Sequence, residues 1–123
     1  MDLADEQQIH LAIEQMRARL GRNGKLHALV NNAAISPKDE TGGRLGSTTT
    51  DMALWRKVFQ VNFFAPIMLA NGLQQELERA KGAVVNVTSI AGTRVHPFAG
   101  RCGSSGKACC TAARTHPVYR LLE

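Results

Sequence analysis

Between Ala4 and Leu20, the apolar residues Ile9, Ile13, Met16 and Leu20 recur at steps of four, three and four, with Gln8, His10, Glu14, Gln15, Arg17 and Arg19 between them. That spacing puts the apolar side chains on one stripe of a helix, and Gly21, Asn23 and Gly24 predict its end. Leu26-His27-Ala28-Leu29-Val30 then forms a short apolar run leading into Asn31-Asn32, the pattern of a buried parallel strand. Residues 36–50, with Pro37, Gly42, Gly43, Gly46 and Thr48 to Thr50, carry loop chemistry over a length that is usually functional.

Thr48 followed three positions later by Asp51 resembles a capping box with Asp in place of Glu. A long helical pattern begins there, through Met52, Trp55, Phe59, Asn62 and Phe63, and continues through Leu69, Leu73 and Leu77. Pro66 lies inside it. Proline has no amide hydrogen and its ring crowds the carbonyl four residues back, so the helix is expected to bend and leave the carbonyl of Asn62 available to water. Gly82 predicts the helix end, and Ala83-Val84-Val85-Asn86-Val87 reads as a second buried strand rich in β-branched residues. Helix, strand, loop, long helix and strand is the alternation of an α/β fold with parallel strands. Ligands in such sheets bind beyond the carboxyl ends of the strands, which points to Asn31 to Ile35 and Thr88 to Gly92 as the seats of chemistry.

The chain has 123 residues, 44% of them apolar and 20% charged, a balance that fits one globular domain and excludes a disordered chain. The net charge of +5 is concentrated late, since Arg101, Lys107, Arg114 and Arg120 face Glu123 alone over the last 23 residues. A basic face interleaved with aromatics is lacking, so nucleic acid is not an expected partner. No apolar run reaches the roughly 18 to 20 residues of a membrane span, and the start carries Asp2, Asp5 and Glu6; a cytoplasmic location without membrane contact is expected. Cys102, Cys109 and Cys110 are odd in number, two of them adjacent, which argues against a disulfide framework. Together with His116 they match no zinc spacing, and no metal is expected. Gly103-Ser104-Ser105-Gly106-Lys107 lacks the first Gly and the final Ser or Thr of a P-loop and reads as a plain loop.

The strand ends carry a family resemblance. Leu29-Val30-Asn31-Asn32-Ala33-Ala34-Ile35 resembles the Asn-Asn-Ala-Gly signature of the short-chain dehydrogenase/reductase family, with Ala34 where Gly is commonest. Val61-Asn62 is similar to its helix asparagine, Val85 to Gly92 to its strand ending in the catalytic serine, and Asp2-Leu3-Ala4-Asp5 to its adenine-contacting stretch. The elements come in the family's order over about residues 1–100. The resemblance implies a partial Rossmann-type, doubly wound α/β fold binding NAD or NADP and exchanging hydride with a small-molecule carbonyl or alcohol. It implies that Asp2 and Leu3 face the adenine, and that the backbone of Asn31, Asn32, Ala33 and Ala34 lines the adenosine ribose. Ser89 would hydrogen-bond the substrate oxygen, and Asn62 would hold a relay water.

Departures from the family set further expectations. No Gly-rich phosphate loop precedes Met1. The family's Tyr, four residues before a Lys, is expected 13 or 14 positions beyond Ser89, where Cys102 and Gly103 stand. Lys107 occupies the lysine position without a phenol whose pKa it could lower. Residues 1–100 therefore read as a partial dinucleotide-binding domain and 101–123 as a diverged or frameshifted tail. The chain is expected to be catalytically incompetent. The alternative is a non-catalytic partner that forms homo-oligomers or pairs with an intact family member through the helix from Trp55 to Leu77.

Overall fold

The computed structural model describes residues 1–43, 45 and 50–88. Helix α1 spans Glu6–Leu20 and β1 Ala28–Asn31; α2, Met52–Phe59, passes through a π-helical turn, Gln60–Phe64, into α3, Ala65–Gly72. Helix α4, Gln74–Ala80, and strand β2, Ala83–Asn86, follow. The two strands pair in parallel, with Ala28 opposite Ala83 and Asn31 opposite Asn86, as the α/β alternation predicts.

Helix α1 starts where Asp5 accepts the amide hydrogens of Gln7 and Gln8, groups that have no partner inside the helix. Glu6 in its first turn and Arg17 and Arg19 in its last complement the helix dipole. Gly21 ends it at φ 74°, a left-handed backbone that costs glycine little. The predicted stripe is the core-facing one. Ile9 and Ile13 pack with Ala65, Leu69, Ala70, Leu73, Leu77 and Val84 in one cluster, with Leu3, Met16, Leu26, Leu29 and Met68 against it. Each fully buried Leu or Ile here contributes on the order of 1.5–3 kcal/mol.

Several expectations change. The long bent helix is four segments, and its irregularity is a widened turn, not a simple proline kink: the Ala65 amide bonds to the Gln60 carbonyl five residues back, and Pro66 follows in the first turn of α3. Proline is tolerated there because its missing donor would fall in a first turn. The helix begins at Met52, capped by Asp51, whose carboxylate accepts the Ala53 amide; Thr48 lies outside the described residues. At the other end Lys81, not Gly82, takes the left-handed conformation, at φ 51°. The Lys81 amide donates to Glu78 and the Gly82 amide to Leu77, the paired bonds of a Schellman motif. Gly82 is needed one position later because a Cβ there would strike the Leu26 carbonyl oxygen.

The strands are not buried on both faces. Leu29 and Val84 face the helices, while Val30 is 57% exposed, Val85 43% and Val87 54%. Among the described residues one helical layer covers one side of a two-stranded sheet. At the amino end of that sheet, Glu76 is buried and receives Arg79 at 2.8 Å, with Arg17 at 3.7 Å. Arg79 also donates to the Gly24 carbonyl and the Leu26 amide to the Glu76 carbonyl, fastening α4 to the segment that enters β1. No helix among the described residues is long and apolar enough to cross a membrane.

Candidate active site at the strand ends

Both strands end in asparagine, and these residues face each other in register. Asn31 Nδ2 donates to Asn86 Oδ1 at 2.9 Å, and the ladder continues one step as the Val87 amide donates to the Asn31 carbonyl at 2.9 Å. The π-helical turn presents Asn62 to the same end. Its side chain is 2% exposed; Oδ1 accepts the Ile35 amide and Nδ2 donates to the Ile35 carbonyl, both at 2.8 Å. The segment leaving β1 is thus held by one side chain as the opposite residue of an antiparallel strand would hold it, through a donor and an acceptor of the same residue.

Asn31, Ala33, Ala34, Asn62, Pro66 and Asn86 line a cavity of about 20 Å³, large enough for one water molecule. Val87 and Thr88 complete its wall. Of the predicted site residues, the structure brings Asn31, Ala33, Ala34 and Asn62 together here. Asn32 is exposed beside them. Asp2 and Leu3 do not line this cavity. Asp2 is tied to the start of α1, its carboxylate accepting the Ala4 amide and its amide donating to Gln8, and Leu3 packs on the core. Ser89 and Lys107 lie outside the described residues. Thr88 joins the site from the second predicted strand-end segment and Pro66 from the predicted irregularity at Asn62; Asn86 is the member that sequence reading left without a role, although it ends its strand as Asn31 ends the other. No group of three or more His, Cys, Asp or Glu side chains gathers among the described residues.

A fold with parallel strands, backbone exposed at their carboxyl ends and an asparagine in a widened helix defines the class: the chain belongs to the short-chain dehydrogenase family, whose model matches residues 1–115. Among curated relatives it is 52% identical over 108 residues to Protein FixR of Bradyrhizobium diazoefficiens, covering 88% of this chain and 38% of FixR. It is 33% identical over 107 residues to retinol dehydrogenase 5 of Mus musculus. Among solved structures it resembles a short-chain dehydrogenase/reductase family oxidoreductase from Brucella ovis in complex with a partially ordered NAD, at 61% identity and a TM-score of 0.85 over 93% of this chain and 52% of that one. The chain thus spans about half or less of the length of these relatives.

Proposed function

We propose that this chain carries the strand-end half of an NAD(P)(H) site of a carbonyl- or alcohol-converting oxidoreductase. The single observation that carries the reading is the joint placement of Asn31, Ala33, Ala34 and Asn62 around the cavity at the strand ends. Ala33 and Ala34 are exposed, so a cofactor can approach their backbone without meeting a large side chain. Asn31 to Ala34 would hold the adenosine ribose, with Asp2 and Leu3 toward the adenine; NAD(P)(H), when bound, supplies or receives the hydride. A water in the cavity beside Asn62 fits the relay role, and Ser89 would hydrogen-bond the substrate oxygen. With Cys102 and Gly103 where the family has tyrosine, Lys107 has no phenol to activate. Loss of the acid/base costs on the order of 10² to 10⁴ in rate, so cofactor binding without efficient turnover is the expected behaviour. Titrating the purified chain into NADH and NADPH and following nicotinamide fluorescence tests this: saturable binding supports it, and none at millimolar cofactor refutes it.

A second reading, pairing with another copy or an intact relative, is favoured by one observation. Leu69, Leu73 and Leu77 are consumed by the core, but Met52 is 59% and Phe64 48% exposed, beside an open groove of about 930 Å³ that Trp55 and Phe59 also line. Size exclusion, alone and mixed with an intact family member, tests it; a monomer in both runs refutes it.

A further inference from the structure

We infer that Asn86 is a positioning residue for the cofactor-facing backbone, acting through Asn31. The inference rests on the cofactor reading above and adds to it a residue whose side chain is engaged by Asn31. Asn31 is bound to β2 twice, by its side chain to Asn86 and by its carbonyl to the Val87 amide. Both asparagines lie on the sheet face that carries Leu29 and Val84, so their amide bond caps the helix-covered side of the sheet at its last register position.

Directly after it, Asn32, Ala33 and Ala34 are exposed, and Ile35 is gripped by Asn62 through both backbone groups. Asn32 to Ala34 therefore form a three-residue span between two amide clamps, Asn86 acting at one end and Asn62 at the other. A short span fixed at both ends has little conformational freedom left to lose when a ligand settles on its backbone, which is how pre-organisation raises affinity. Without the Asn86 side chain, Asn31 keeps its backbone bond to Val87 but loses the second hold, which loosens that end of the span while the helical core stays intact, because Asn86 is not part of that core.

The test uses the ¹⁵N-labelled full chain, with Asn86→Leu, which removes the acceptor, and Asn86→Asp, which retains one for Asn31 Nδ2. In the unsubstituted chain the amides of Asn32 to Ala34 should show order parameters near the rigid value of about 0.85; values under about 0.6 overturn the inference, whether or not any variant folds. Asn86→Leu should move those three resonances and weaken NADH binding about tenfold, as loss of a part-buried hydrogen bond does, while Asn86→Asp stays within about threefold. A purely structural role predicts the opposite pattern for Asn86→Leu, a lower unfolding midpoint with unchanged Asn32 to Ala34 resonances and unchanged Kd; that result overturns the inference. If the unsubstituted chain binds no NADH, the cofactor reading fails, and with it the proposed role toward the cofactor. The clamp itself is then judged on the resonances alone, where motion upon Asn86→Leu supports it and none refutes it.

Discussion

Replacing Asn62 with leucine removes two hydrogen bonds at once and keeps the number and branching of the side-chain heavy atoms. Asn62 is 2% exposed, and its amide serves the N–H and the C=O of Ile35, each at 2.8 Å. Every buried polar group left without a partner costs about 1–3 kcal/mol. Ile35 is half-buried, so water reaches it in part and the lower half of that range applies to each group. The expected loss is about 2–4 kcal/mol, a large share of the roughly 5–15 kcal/mol that holds a domain folded. Urea unfolding followed by the fluorescence of Trp55, the single tryptophan, measures it, and the neighbouring Phe59 ring, 6.0 Å away, makes that signal sensitive to α2. Asn62→Asp sharpens the test. The carboxylate still accepts from the Ile35 amide but opposes the Ile35 carbonyl, whereas the protonated acid offers an O–H to it. Burial and that opposition raise the folded-state pKa of the new carboxyl. Its penalty should be absent below the unfolded aspartate pKa and should grow as pH rises through the folded one. A Leu variant within about 0.5 kcal/mol of the parent, or an Asp variant with no pH dependence relative to it, refutes the clamp.

Lys81→Gly should stabilise the chain by about 1 kcal/mol, because the left-handed position then carries no Cβ; an unchanged urea midpoint counts against the Schellman assignment. Gly72→Ala should destabilise by about 1–2 kcal/mol despite alanine's better helix propensity, since its Cβ would meet Ile13 Cδ1 at 2.5 Å, and adding Ile13→Val should return part of the loss. The Asp39 carboxyl, held below its ordinary pKa first by the Thr41 hydroxyl and then by the Gly43 amide, supports its turn above the unfolded aspartate pKa and loses that support as pH falls through the folded value. A carboxyl titration by NMR should show that lowered midpoint, and Thr41→Val should move it upward; no movement refutes the hydroxyl as the main cause.

What the sequence revealed and what it hid follow from the range of the interactions. The α1 stripe, the Asp51 neighbourhood and both strands are local patterns, and each is legible to within a residue or two, the cap at Asp51 excepted in its details; the Asp5 cap went unread. The exposure of Val30 and Val85 was not legible, because a β-branched run looks the same whether one face or two are covered. The π-helical turn was half visible: Pro66 announced a defect at Asn62, but its form, an extra residue in one turn, depends on what Asn62 must reach across 27 positions of sequence. The Asn31–Asn86 bond spans 55 positions and becomes evident only once the register is known. Lys81 misled for a different reason, as Gly82 satisfies a contact with another segment and so could not also serve as the helix terminator.

The parallel pairing has a consequence for the order in which the chain assembles. A hairpin can close through a short turn, but the partners Ala28 and Ala83 can meet only after the whole α2 to α4 segment has been laid down between them. Loop closure over such a separation is entropically disfavoured until intervening contacts reward it. The helical cluster around Leu73 and Leu77 should therefore form first, and the sheet last. The strand ends, where the candidate site lies, are then the latest part of the molecule to acquire native contacts and, by the same measure, the first to give them up.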